Sequence, residues 1–237
     1  MNYLKRIHLL LIAALFISSG CTVDSSDIKT SGMDATITVS STGSNSTSVN
    51  VSLISGSDDV KLIDGDVLVS TRDGVRKTLS KLSSGSYETT FSSDTSAAYT
   101  IELQRPNDPN ASSSVNLPAP FSITAPTKNQ LFASGTNVDV QWTPAISSVL
   151  DYAYSTSCTD TAGGSVQKSD TISVVGINGG YTIASANLLP TGIDPNITCV
   201  CNVNLIRQVQ GTISPALKSG STITASQTRN ISFLINP

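Results

Sequence analysis

The residues best equipped for chemistry are four cysteines, Cys21, Cys158, Cys199 and Cys201. Cys199 and Cys201 stand one residue apart in the stretch ITCVCNVNLI. Such a pair could hold a metal, cycle between thiol and disulfide, or staple the chain. A zinc site needs several Cys or His at fixed spacings. This chain has a single histidine, His8, and no paired CxxC knuckle. Ser or Cys nucleophiles with an imidazole base need a histidine to take the proton. Serine–lysine catalysis does not, and SVQK (Ser165 to Lys168) has the SxxK spacing, but it sits in a Gly-rich loop rather than at a helix start. There is no P-loop, and no GxGxxG follows a strand. Carboxylates remain: Asp58-Asp59 and Asp64-Gly65-Asp66 could act as an acid–base pair on a glycan, or bind calcium. Both groups fall in expected turns, where Asp is favoured because it bonds its own backbone. No catalytic residue, metal or cofactor is therefore expected, and the protein reads as a non-enzyme.

The elements that must carry these residues are strands. Ser and Thr exceed a quarter of the 237 residues, and charged residues make up 13%. Short runs rich in Val, Ile and Thr alternate with Gly, Asn, Asp and Ser breakers, a pattern of strands and turns. No window beyond the N-terminus carries a capped helical stripe. The expected class is all-β.

The N-terminus is different. MNYLKRIHLLLIAALFISSGC has a basic start (Lys5, Arg6), then a mainly apolar run from Ile7 to Ile17, then small residues. This is the layout of a secretory signal peptide, assigned to residues 1–20. The segment Ser18-Ser19-Gly20-Cys21 resembles the lipobox of bacterial lipoproteins, with Ser18 where that family usually has Leu. The resemblance implies cleavage before Cys21 and a diacylglycerol on its sulfur. Acyl chains contribute roughly 0.8 kcal/mol per buried methylene, so the anchor would hold the protein on a membrane. In enterobacterial lipoproteins an Asp after the cysteine retains the protein at the inner membrane; Thr22 instead implies the outer membrane, facing periplasm or cell surface. Residues 21–32 are polar and read as a lipidated, flexible tether. Losing residues 1–20 removes His8 and two cations from a chain of net charge −3, leaving −5. An acidic balance argues against nucleic acid as a partner.

Two β modules are expected. The first spans 33–116. In it DATITVS and TSVNVSLIS alternate, and Asp73-Gly74 is a two-residue hairpin turn. Its closing G-x-Y-x-x-x-F and Y-x-I-x-L spacing resembles small immunoglobulin-like or transthyretin-like modules. Residues 117–120 are the expected linker, at the end of a stretch rich in Pro, Asn and Ser. Within that stretch Asn107-Asp108 is similar to calcium-binding linkers of cadherin-like repeats, although the acidic partners are not evident. The second module spans 121–237. FSITAPTKNQLFASGTNVDVQWTPA resembles the opening of bacterial immunoglobulin-like and fibronectin-III-like domains, with Trp142 closing a strand as core or as a sugar-stacking platform. TISVVGINGGYTIA reads as a hairpin turning at Asn178-Gly179. The fold expected is thus two immunoglobulin-like antiparallel β-sandwiches in tandem.

Cys199 and Cys201 fall on the same apolar face of their strand, and Cys158 ends a strand whose apolar face carries Tyr152 and Tyr154. In an oxidising compartment a disulfide is expected, Cys158 pairing with Cys199 or alternatively with Cys201. Closing a loop of about 40 residues is worth roughly 3–4 kcal/mol on the chain-entropy model. Arg72, Arg76, Lys77 and Lys81 form a basic cluster suited either to anionic headgroups or to protecting an edge hairpin. The expected function is non-catalytic: a lipoprotein presenting β modules to an envelope or extracellular protein or polysaccharide. The candidate contact loops are Asp160 to Lys168 and Leu188 to Asn196. The alternatives are a structural spacer or assembly factor, and a glycan-active enzyme or its accessory subunit using carboxylates.

Overall fold

Alternation of apolar and polar side chains builds the strands. In Asp34–Ser41, Ala35, Ile37 and Val39 are buried while the residues between them are not. The computed structural model describes residues 21–145, 150–174 and 179–237; the expected signal segment, 1–20, lies outside the described residues. In chain order the strands are β1 (Thr22–Asp24), β2 (Asp34–Ser41), β3 (Thr47–Ser55), β4 (Asp58–Lys61), β5 (Val67–Arg72), β6 (Val75–Thr78), β7 (Ser80–Lys81), β8 (Tyr87–Phe91), β9 (Ala98–Gln104) and β10 (Ala111–Asn116). They continue as β11 (Ser122–Ala125), β12 (Leu131–Phe132), β13 (Val138–Thr143), β14 (Leu150–Thr159), β15 (Ser165–Val174) and β16 (Gly180–Ile183). After one helical turn, α1 (Ser185–Leu188), come β17 (Cys199–Gln210) and β18 (Thr222–Ile235).

The fold is all-β and arranged as sandwiches. One large sheet runs β1-β4-β3-β2-β18-β17-β14-β15, with β8, β7 and β12 attached to it. The sheet β10-β9-β5-β6 covers its first part, and β11-β13-β16 covers its second. The first core includes Val39, Val51, Tyr99 and Ile101. The second includes Val140, Trp142, Tyr152 and Phe233. Asp73 and Gly74 turn the β5–β6 hairpin with φ of 48° and 78°, the positive pair that matches strand twist.

The two cores do not divide at residue 121 as expected. β17 and β18 pair along twelve residues, and this long hairpin runs through both. The start of β18 lies parallel to β2, Ile223 beside Ile37, so Leu217, Ile223 and Ala225 belong to the first core. The other end of the same strand puts Phe233 and Ile235 in the second. The expected linker at 117–120 is packed rather than free. Leu117 is fully buried, and the Pro118 carbonyl accepts from the buried Gln227 amide (3.2 Å). Gly211 brings the hairpin onto β10, where Ser114 and Thr212 exchange backbone bonds of 2.8 and 2.9 Å. A Cβ on Gly211 would run into the Ser114 carbonyl.

The segment 21–32 is folded structure, not a tether. β1 runs parallel to β4, and two 3₁₀ turns follow, Ser25–Asp27 and Thr30–Gly32. The physical reason is Arg105. Its guanidinium, almost fully buried, donates to the carbonyls of Ser25 and Ile28, to the Thr30 hydroxyl (3.2 Å) and to the carboxylates of Asp66 (2.9 Å) and Asp108 (3.2 Å). The two arms of the expected hairpin across Asn178-Gly179 do not pair with each other: β15 pairs with β14, while β16 pairs with β13 in another sheet. Asn178 itself lies outside the described residues.

Candidate binding surface at the stapled loops

β14 and β15 form a hairpin of ten paired positions, from Leu150↔Val174 to Thr159↔Ser165. Asp160 closes it. Its backbone N–H donates to the Gly164 carbonyl (2.8 Å), and its carboxylate accepts from the N–H groups of Ala162 (2.8 Å) and Gly164 (2.7 Å). On its other side Asp160 bridges to Ile193, and the Asp194 N–H donates to the Thr159 carbonyl (3.0 Å). The two expected contact segments therefore meet. Lys168 ties them again, its ammonium donating to the carbonyls of Ala186 (2.9 Å) and Leu189 (3.3 Å). Beside the junction Cys158 is joined to Cys199, their Cα atoms 4.5 Å apart.

The four residues singled out in these loops have different fates. Asp160 shapes its own turn. Lys168 holds the neighbouring segment. Leu188 is buried in the second core and cannot reach a ligand, because it anchors α1 from beneath. Asn196 is exposed and donates from its backbone N–H and its amide to the Asp194 carboxylate (2.9 and 3.1 Å). What faces solvent is the pair of turn tips, Thr161 to Gly164 and Thr191 to Gly192, with Pro195 and Asn196. These turn tips are braced by a disulfide and by side-chain bonds, the setting of loops on a rigid scaffold where binding and catalytic residues concentrate.

Cys201 is free and fully buried beside the staple, opposite Phe233. Burial pushes its thiol from 9.0 up to about 11. Above pH 9 the unfolded thiol loses its proton while the folded one keeps it until about pH 11, so stability falls across that interval. Cys201→Ala is expected to reduce this alkaline loss. Cys201 is also expected to react with a thiol reagent at pH 8 only after unfolding. Rapid labelling of folded Cys201, or an alkaline stability curve identical in the variant, would contradict the assignment.

The remaining candidates are distributed through the scaffold. Asp66 is locked by Arg105, and Asp64 holds a positive-φ turn position (54°). Asp108 accepts from Arg105 and from the Thr30 N–H, and the neighbouring carboxylate, Asp66, is held by the same guanidinium. The basic cluster is split: Arg72 and Lys77 line one open cleft beside Phe91, and Arg76 and Lys81 do not. Arg72 is buried over Tyr99 and donates to Ser93 and Thr95, Arg76 donates to Gln104, and Lys77 donates to the Thr90 carbonyl; Lys81 is exposed. Trp142 is core, 4% exposed, and offers no sugar platform. Ser165 and Lys168 share β15, not a loop, and three positions apart they fall on opposite faces of the strand. Among the described residues no group of three or more His, Cys, Asp or Glu is placed to hold a metal, and no helix is long and apolar enough to cross a membrane. One concave feature was not legible from sequence: an open groove of about 570 Å³ where β10 and the 117–120 segment meet the β17–β18 hairpin, lined by Asn116, Arg207, Gln210 and Thr212 among others.

No protein-family model matches this sequence, and no curated protein matches it. Among solved structures it is similar to the adhesin InvE of Yersinia pseudotuberculosis, at 13% identity and a TM-score of 0.26, over 84% of this chain and 60% of the adhesin's. It is also similar to a structure described as bearing on host cell surface retention of a 1.5-MDa bacterial ice-binding adhesin, at 8% identity and a TM-score of 0.25, over 86% of this chain and 66% of the other. A third is the calcium binding domain CBD12 of CALX1.1, at 11% identity and a TM-score of 0.22, over 85% and 99%. The chain thus spans less than two thirds of the length of either adhesin structure. These likenesses concern fold alone.

Proposed function

We propose that this protein is a non-catalytic lipoprotein, anchored through Cys21 to the outer membrane and facing periplasm or cell surface, that binds an envelope or extracellular protein or polysaccharide. The observation that carries this reading is the junction of Asp160–Lys168 with Leu188–Asn196: two exposed turns held as one surface beside the Cys158–Cys199 staple. That surface belongs to β14 and β15, at the opposite end of the strand order from β1. With strands about 4.8 Å apart, seven steps set the two ends about 34 Å apart across the sheet. Cys21 is exposed immediately before β1, so an anchor there would sit at the other edge of the sheet from the loops. The absence of His beyond residue 8 and the scaffold role of Asp66 support the non-catalytic reading.

The test is photocrosslinking on intact cells from probes at Thr161 and Asn196, with a probe at the exposed Ser57 of the first module as control. A defined partner captured from the two loop positions and absent from Ser57 is the expected result. Identical products from all three would overturn the loop assignment. Glycan hydrolysis abolished by Asp64→Asn, with stability unchanged, would overturn the non-catalytic reading. A second reading, a stiff spacer in an envelope complex, is favoured by the hairpin shared between both cores, and predicts one stoichiometric crosslinked partner engaged at both modules.

A further inference from the structure

β15 is the last strand of the large sheet, and its only ladder among the described residues is with β14. The Asp160 N–H to Gly164 carbonyl bond fixes which pairs of that ladder are hydrogen-bonded. Counting by twos along the antiparallel register, Cys158↔Val166, Thr156↔Lys168, Tyr154↔Asp170 and Tyr152↔Ile172 exchange backbone bonds. The 4.5 Å Cα separation of Cys158 and Cys199 agrees, since it marks a non-hydrogen-bonded pair on the other side of β14. The intervening residues of β15, Gln167, Ser169 and Thr171, therefore direct their N–H and C=O groups to the open edge.

That edge reads the same in both directions. About a two-fold axis at Ser169, an antiparallel copy places Val166 opposite Ile172, Gln167 opposite Thr171, Lys168 opposite Asp170 and Ser169 opposite itself. Apolar meets apolar, polar meets polar, and each cation meets an anion, twice over by symmetry. Ser169 exposes its backbone outward, so the central pair is a hydrogen-bonded one. The Lys168 ammonium uses two of its three donors on Ala186 and Leu189, leaving one for a carboxylate. The Asp170 carboxylate accepts from the Thr171 N–H (2.8 Å) and retains further lone pairs. Against an arbitrary strand, Lys168 and Asp170 would face unmatched groups. Charges in an edge strand discourage such pairing, and only a partner of complementary pattern removes the obstacle.

We infer that β15 is a self-recognition edge through which two copies of this chain join as an antiparallel, two-fold symmetric continuation of the sheet. The inference does not depend on what the loops bind. An edge-only contact is small, so it suits copies already concentrated on one surface.

The test uses the full chain carrying Ser169→Cys, expressed in cells, with membranes treated with a short bis-maleimide. At a hydrogen-bonded pair the two Cα atoms are about 5.5 Å apart, within reach of the reagent. Crosslinked dimer is expected from this chain. It should be lost with Asp170→Lys, which sets lysine against lysine, and lost with Lys168→Asp, which sets aspartate against aspartate. Coexpressing the two charge variants restores both ion pairs, so the mixed dimer is expected to return; this also shows that each variant folds. The chain without Ser169→Cys reports any dimer formed through an unlipidated Cys21, which separates failure of the anchor from failure of the edge. Equal crosslinking in the Asp170→Lys variant, no dimer from the Ser169→Cys chain, or no recovery in the mixed case would each overturn the inference.

Discussion

Arg105→Ala is expected to destabilise the first module by about 3–5 kcal/mol, the cost of breaking a buried ion pair from one side. The Arg105 side chain is 4% exposed and that of Asp66 is 7% exposed. Removing the guanidinium leaves the Asp66 carboxylate buried without its cation and strips donors from the Ser25 and Ile28 carbonyls. Ser25 and Thr30 are themselves buried, so the damage falls on the segment between β1 and β2. Residues 22–32 should then lose amide protection by local opening, while amides of the second core exchange only through the global transition. Denaturant unfolding gives the magnitude, and hydrogen exchange gives the location. A loss below about 1 kcal/mol, the range of an exposed ion pair, with 22–32 still protected would contradict the role given to Arg105. Asp66→Asn in the Arg105→Ala background should recover part of the loss, because it removes the unpaired charge.

This arginine also marks where the sequence stops being legible. TVDSSDIKTSG offers two apolar residues, Val23 and Ile28, and no period, so flexibility is the natural expectation from local pattern. What orders it is a guanidinium 75 to 80 residues away in sequence, and no local signal announces that pairing. Period-two alternation, by contrast, is local. It exposed β2 and β3, and it placed Cys199, Cys201, Val203 and Leu205 on the one face that is buried. The Asp73-Gly74 turn was legible for the same reason, since its chemistry lies within two residues. Asn178-Gly179 suggested the same kind of turn, but β15 and β16 were claimed by partners in different sheets, and strand pairing outweighs turn chemistry. In the loops, sequence identified long segments rich in turn residues. It could not show that Lys168 would hold Ala186 and Leu189, or that Leu188 would point inward.

Phe233→Ala is expected to cost about 3–5 kcal/mol, the range for deleting a buried phenyl ring, and to weaken both modules. Phe233 is fully buried, packs edge-on against Phe132 at 5.4 Å, and sits opposite Cys201. The resulting cavity lies in the second core, yet the strand that carries it also holds Ile223 and Ala225 in the first. Between them the Gln227 amide donates to the Asp94 carbonyl (2.7 Å), and the Arg229 guanidinium donates to the Phe121 carbonyl (2.7 Å) over the Phe121 ring. These bonds fasten β18 to both modules at the point where it passes from one to the other. A strand so held cannot leave the second core and stay paired with β2, so the two modules should unfold in one transition. The variant is expected to lower that single midpoint and to speed exchange at Ile37 and Val39, which lie beside Ile223 and Ala225. Two separated transitions, with only the second displaced, would mean that the hairpin joins the modules without coupling them. A single shifted transition would mean that the stability of the second core is coupled to that of the first through the continuous backbone pairing of β17 and β18 with β2.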